Sequence, residues 1–265
     1  MIVAVDDPDD PRLAPYRAVR ERDLVGRAGL FIAEGEVVLR LLVRRGRFPL
    51  RSLLVARGRL GPLADLLAEM PADLPVYAVP QAVMDGVTGF SIHRGLLGVG
   101  TRGPEPDPDA LLAALPARAL VVGCVGIANH DNVGGIFRNA AAFGAGAVLL
   151  DPATCDPLYR KAIRVSVGAS LVTPFARAGS PDALVAALAR HGFRILALSP
   201  AGTRRLADVE PAERAALLLG TEGPGLPPDL LARLETVRIP MAGAFDSLNV
   251  ATTSGIALHY LAGLG

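Results

Sequence analysis

Apolar residues in this chain come in short continuous runs. The runs at 30–33, 50–56 and 75–79 have the length and continuity of buried strands, and the stretches 36–45 and 61–70 between them have helical spacing. Beyond residue 105 the alternation resumes with strand-like runs at 119–127, 147–150, 170–175, 194–199, 216–220 and 236–240. Helix-like stretches at 135–143, 158–165, 181–191, 229–234 and 250–261 separate them. Continuous apolar strands alternating with helices predict an α/β protein whose C-terminal part is a parallel sheet covered on both faces. Between the two series, TRGPEPDPD (101–109) carries three prolines and no apolar period, which reads as a stiff linker. The expected domains are therefore 1–105, a small α/β domain with the linker, and 106–265.

Composition narrows the class. With 265 residues, 51% hydrophobic and 20% charged, the chain can bury a core and lies far from the composition of disordered proteins. The longest uncharged apolar run, 119–128, is half of the roughly 20 residues that a membrane span needs. The opening MIVAVDDPDD turns acidic where a secretory signal turns apolar, so a cytoplasmic protein without membrane contact is expected. Cys124 and Cys155, with four scattered histidines, give neither zinc spacing nor a disulfide framework, so buried thiols and no metal are expected. Net charge is only +1, yet eleven arginines between Arg17 and Arg59 face just Glu21, Asp23, Glu34 and Glu36. That local excess is a candidate nucleic-acid footprint, against the plainer alternative of a solvated surface in a chain whose one lysine is Lys161.

A parallel sheet of this kind binds ligands at the carboxyl ends of its strands, so the strand-to-helix loops are the places to look. Three are polar and rich in glycine. The first, ANHDNVGG (128–135), leads into a helix whose buried face is Ile136, Ala140 and Phe143, with Arg138 pointing away from it. Asn129, Asp131 and Asn132 fit a turn and an N-cap, while Arg138 near a helix N-terminus also fits a phosphate site. The second, LLLGTEGPGL (217–226), presents Glu222 on a lysine-free backbone turn, better suited to a neutral or cationic ligand than to phosphates; an ordinary helix-start acid is the alternative. In the third, 239–252, Ser247 or Asn249 would serve as an N-cap. No GxGxxG and no Walker A pattern is present, which argues against a nucleotide-dependent oxidoreductase on an ordinary dinucleotide fold. His191 and His259 sit where structural roles suffice.

The segments NVGGIFRNAAAFG (132–144), LLLGTEGPGL (217–226) and IPMAGAFDSLNVATTSGIALHY (239–260), in this order and spacing, resemble the three motifs of the SpoU-type (TrmH-like) RNA ribose 2'-O-methyltransferases. FIAEGEVVLRLL (31–42) and VMDGVTGFSIHRGLLGVG (83–100) are similar to the substrate-binding domain that many members carry, so the likeness covers almost the whole chain. It implies a SPOUT fold with a deep trefoil knot, a homodimer, S-adenosylmethionine as methyl donor and RNA as substrate, rRNA before tRNA. Leu198, Gly220, Ile239, Met241 and Leu248 would hold the cofactor. Asn132, Arg138, Glu222, Ser247 and Asn249 would form the catalytic surface, with Asn132 and Glu222 holding Arg138, and Ser247 and Asn249 shaping the knot loops and ribose site. In this family the arginine is often proposed as the base. A guanidinium stays protonated in proteins, so Arg138 is expected instead to orient and polarise the 2'-hydroxyl. A catalytically silent RNA-binding or ribosome-assembly protein is the competing reading, opposed by the presence of all five catalytic-surface residues.

Overall fold

A computed structural model describes residues 1–17, 25, 29–45, 47–88, 95–242 and 247–263. Contacts divide the chain into two units, 1–104 with 158–172, and 105–157 with 173–265.

The N-terminal unit contains β1 (Ile2–Ala4), β2 (Leu30–Glu34), α1 (Glu36–Arg45), β3 (Leu50–Ala56), α2 (Ala64–Ala68), β4 (Val76–Val79), α3 (Gln81–Thr88) and β5 (Leu96–Thr101). Its sheet runs β1-β4-β3-β5-β2, parallel across β1, β4 and β3 and antiparallel where β5 joins β3 and β2. Sequence patterning misses β5, and the reason is its glycines: LLGVGT is a weak strand by composition. The fold needs them small, because a Cβ on Gly100 would stand 2.2 Å from Cζ of Phe31. Phe31 is fully buried and meets Phe48 edge-on at 5.4 Å, so tertiary packing, which local propensity does not report, makes this strand.

The C-terminal unit opens with α4 (Pro108–Ala113), followed by β6 (Ala119–Val125), α5 (His130–Ala142) and β7 (Ala147–Leu150). The second half of the predicted linker is thus a helix start: Asp107 caps α4 by accepting from the Ala110 N–H at 3.0 Å. Residues 158–172, expected in the C-terminal domain, then join the N-terminal unit. There α6 (Arg160–Val165) buries Ala162 and Ile163 and packs on β2, and α7 (Ala169–Val172) packs on α1. The run at 170–175, expected as a strand, is therefore a helical turn followed by the strand β8 (Phe175–Arg177). A short apolar run reads alike as buried helix or buried strand. Here the Ser166 hydroxyl accepts from the Ser170 N–H at 3.3 Å, a local bond that favours the turn.

The remaining elements are α8 (Pro181–Arg190), β9 (Arg194–Leu198), β10 (Arg204–Arg205), β11 (Arg214–Gly220), α9 (Pro228–Leu231), β12 (Glu235–Arg238) and α10 (Val250–Leu261). All seven strands are parallel, in the order β10-β12-β9-β11-β6-β7-β8. The parallel α/β expectation therefore holds. Leu112 of α4 and Leu184 and Leu188 of α8 share one buried cluster with Val121, Leu149 and Leu218 of the sheet. Next to α5, α10 packs so closely that a Cβ on Gly135 would lie 2.6 Å from that of Ala251.

Strands adjacent in sequence usually lie side by side, but β12 separates β9 from β10. The five residues 199–203 that join β9 to β10 must cross it: Ser199 N–H donates to Val237 O at 2.9 Å and Thr203 N–H to Thr236 Oγ1 at 3.0 Å. Gly202 lies flat on the crossing, where a Cβ would come within 2.4 Å of the Val237 carbonyl carbon.

Candidate active site

Three loops meet at the carboxyl end of the C-terminal sheet. From β11 the chain enters a turn closed by Gly225 N–H donating to Thr221 O at 3.1 Å. Gly220 begins it because nothing larger fits: a Cβ there would stand 2.3 Å from the backbone of Gly225 and Leu226. Glu222 is held out at the tip of this turn and exposed.

The first loop is shorter than the sequence suggests. Helix α5 begins at His130, with Asn129 as its N-cap, so Asn132 belongs to the first helical turn and is 4% exposed. Its amide Nδ2 donates to Glu222 Oε1 at 2.8 Å. The third loop, described to Ala242 and again from Ser247, brings in Asn249, which does two jobs. Its Oδ1 caps α10 by accepting from the Ala251 and Thr252 N–H groups at 2.9 and 3.2 Å. Its Nδ2 donates to Asn132 Oδ1 at 2.8 Å and to Glu222 Oε1 at 3.1 Å. One carboxylate and two amides thus lock all three loops together, and capping alone accounts for only half of what Asn249 does.

Arg138 is not part of this lock. It is exposed and makes no hydrogen bond or ion pair to any described residue, so neither Asn132 nor Glu222 of its own chain holds it. Helix geometry gives the reason. Six residues amount to about 600° of rotation, so the two side chains leave α5 roughly 120° apart.

Beside the lock opens a cleft of about 460 Å³. Leu198, Gly220, Ile239, Met241 and Leu248, the five residues expected around a cofactor, all line it, together with Glu222, Ser247 and Asn249. Arg138 and Asn132 do not. Among the described residues no Lys, Arg or His lines it, and Leu248 is left 46% exposed there. Such a surface suits a largely apolar ligand that is neutral or cationic. Sequence reasoning missed Ser199, Pro200 and Thr253 of the lining. The first two follow β9 directly, a position the carboxyl-end rule points to; Thr253 is one turn beyond Asn249, to whose carbonyl its hydroxyl donates at 2.8 Å.

The remaining candidates resolve plainly. Both cysteines are free; burial raises the Cys124 thiol strongly and pushes Cys155 up to about 12, so both stay protonated. His191 bonds Asp109 at 3.0 Å, and His259 meets the Phe143 ring edge-on at 5.6 Å. Among the described residues no cluster is arranged to hold a metal, and no helix is long and apolar enough to cross a membrane.

The arginine-rich stretch changes most. Arg20, Arg22 and Arg27 lie outside the described residues. Arg40 bonds Glu36 and Asp65, Arg44 bonds Glu69, Arg57 pairs with Asp6, and Arg17 donates to the carbonyls of Pro8 and Asp10. Asp6, Asp65 and Glu69 lie outside the counted window, and each has its pKa lowered by its arginine. Arg45 and Arg51 are exposed and pair with none of the described residues.

Comparison with known proteins agrees with this architecture. A tRNA/rRNA methyltransferase of Mycobacterium tuberculosis, itself uncharacterized, is 41% identical over 96% of this chain and 90% of its own length. The crystal structure of an AdoMet-bound rRNA methyltransferase from Sinorhizobium meliloti superposes with a TM-score of 0.83, 24% identity, and coverage of 98% of this chain and 97% of that one. That of an RNA 2'-O ribose methyltransferase gives 0.79 and 24%, covering 98% of each. Residues 119–259, which contain every residue of the lock and its cleft, match the SpoU rRNA Methylase family, and the chain belongs to it.

Proposed function

We propose that this protein transfers a methyl group from S-adenosylmethionine to a ribose 2'-hydroxyl of RNA, with ribosomal RNA as its substrate. The observation that carries the reading is the cation-free apolar cleft beside the Asn132–Glu222–Asn249 lock at the carboxyl end of a parallel sheet. The cofactor fits that chemistry: a sulfonium would meet no lining cation among the described residues, the Glu222 carboxylate would favour its charge, and the exposed Leu248 would gain apolar cover. Leu198, Gly220, Ile239, Met241 and Leu248 would hold it. When bound, it supplies an electrophilic methyl group for in-line displacement by a hydroxyl oxygen.

The protein's own part is position and electrostatics. Asn132 and Asn249 fix the Glu222 carboxylate, and the apolar wall keeps water from the reacting oxygen. Ser247 lines the same rim. Arg138 orients the 2'-hydroxyl and steadies the charge that develops on its oxygen as its proton is released to bulk solvent. Because Arg138 points away from its own chain's lock, it acts at the cleft of the second subunit of a homodimer. Ile256 and Tyr260, exposed at 43% and 39% on α10, are apolar surface that such a dimer would cover. The same reading carries the C-terminal segment through a deep trefoil knot, supported by β12 running under the 199–203 crossover, and puts the enzyme in the cytoplasm with RNA.

The test is methyl transfer from labelled S-adenosylmethionine to unmodified rRNA and, separately, tRNA, with the labelled ribose mapped. Label on a 2'-oxygen of rRNA is expected. Label in tRNA alone changes the substrate, and neither label nor cofactor binding returns the chain to the silent RNA-binding reading.

A further inference from the structure

Two buried polar side chains lie at the site end of the C-terminal sheet and have no place in the chemistry above. Asp151, 3% exposed, follows β7, and Thr154, 2% exposed, follows it in the same loop. An apolar pair would fill this volume without the cost of burying polar atoms. These two instead hold the first two backbone N–H groups of the strand-to-helix connection that precedes Asn132. Asp151 Oδ1 accepts from Gly126 N–H at 3.0 Å, from Thr154 N–H at 2.8 Å and from the Thr154 hydroxyl at 2.6 Å. The same hydroxyl lies 3.1 Å from the Cys124 carbonyl, a second acceptor for its one proton, and Thr154 Oγ1 accepts from Ile127 N–H at 3.2 Å. Next along the loop, Cys155 N–H donates to Ile127 O at 2.9 Å. Arg177, from β8, closes the loop behind them, its Nη1 donating to the carbonyls of Asp151 at 2.6 Å and Thr154 at 2.9 Å.

The pinned segment is the pivot of the site. Gly126 sits at φ +71°, the left-handed region, and turns the chain out of β6; Asn129 caps α5 three residues later, and Asn132 follows on its first turn. The position a Gly126 Cβ would take is 3.5 Å from Cβ of Thr221, the residue before Glu222. One carboxylate oxygen therefore governs the entry of α5, and through it the Asn132 amide that holds Glu222.

We infer that Asp151 and Thr154 are positioning residues for methyl transfer, clamping the 126–127 backbone so that Asn132 meets Glu222 and Asn249. The inference deepens the methyl-transfer reading and rests on it. Neither residue lines the cleft, so the clamp governs turnover and leaves cofactor affinity alone.

Thr154→Val keeps the shape and removes the hydroxyl; Thr154→Ser restores it. With wild type measured alongside, kcat of Thr154→Val is expected to fall by about tenfold or more, with S-adenosylmethionine affinity and the KM for RNA within about twofold. Thr154→Ser is expected to recover most of kcat. Amide exchange across 126–132 should quicken by about tenfold in Thr154→Val, with 215–220 unchanged. Asp151→Asn, which keeps an acceptor oxygen without the charge, gives the same pattern at smaller amplitude and serves if Thr154→Val does not fold. Unchanged kcat, a loss of cofactor affinity equal to the loss of kcat, or a Thr154→Ser as slow as Thr154→Val overturns the clamp. Should wild type itself transfer no methyl group, the methyl-transfer reading fails instead, and exchange decides the clamp: no change at 126–132 overturns it.

Discussion

In the N-terminal unit, Arg40, Arg44 and Arg57 each turn to carboxylates of their own unit, in pairs that stand at the surface. In the C-terminal unit the decisive polar contacts join Asn132, Glu222 and Asn249 from three loops, with Asn132 buried, beside a cleft that no cation lines. The first arrangement is screened by water and each pair is close to replaceable. The second is coupled, because each member bonds both of the others and removing one takes away two of the three bonds. Charge density in a sequence is thus a poor guide to where function sits. Eleven arginines in one window lose much of their force to acids outside it, whereas three uncrowded polar residues, 27 to 117 positions apart, meet at the candidate site.

The largest way to test this contrast is to break the lock. Glu222→Ala removes the acceptor of both amides, and turnover should fall by about 10²-fold or more, measured in single-turnover methyl transfer. Glu222 is exposed, but the buried Asn132 amide loses its acceptor, so thermal stability should fall modestly; a variant still within a few-fold of wild type in turnover would show that the three loops need no common anchor. Next comes Arg138→Ala, expected to cost about 10²-fold in turnover with S-adenosylmethionine affinity kept within about twofold. Mixing it with Glu222→Ala sharpens the point: if Arg138 serves the second subunit, hybrid dimers regain one working site, and no recovery places its action within its own chain.

In the N-terminal unit effects should be smaller and additive. Replacing the unpaired Arg45 and Arg51 with Ala should weaken RNA binding and flatten the logarithmic salt dependence by about one per residue, while Arg44→Ala leaves both nearly unchanged because that guanidinium is already paired. Equal effects from paired and unpaired arginines would dissolve the distinction between them. The smallest effect is acid sensitivity. Asp6, Asp65 and Glu69 titrate below their ordinary values because of their arginines, and Asp10 is drawn down to about 2 by Arg12. A depressed carboxylate contributes stability above its ordinary pKa and loses it as pH falls through the folded value. Stability of this unit should therefore be flat above pH of about 4.5 and decline towards pH of about 2. Among the described residues of the C-terminal unit only Asp109 and Glu235 show such a lowering, so its decline should be shallower, as far-UV ellipticity and unit-specific amide exchange would report.

Most strand runs of the parallel sheet, most of its helices and the positions of all three loops are legible in the amino-acid order, because continuous apolar stretches and glycine-rich turns report local burial and local backbone needs; the start of α4, the short β10 and the helical turn at 169–172 are not. The five residues expected around the cofactor also converge, since they sit at strand ends that a parallel sheet brings to one edge. What pattern could not reach depends on distant partners. LLGVGT is a strand only because Phe31 lies over Gly100, and 158–172 leaves the C-terminal unit because Ile163 finds its cover in the N-terminal one. The Asn132–Glu222 bond spans 90 residues and the Asn249–Asn132 bond 117. Periodicity encodes which side of an element is buried. Which group lies across from it, whether an arginine meets a carboxylate and whether Arg138 faces its own site were decided only when the tertiary structure brought residues distant in sequence within hydrogen-bonding reach.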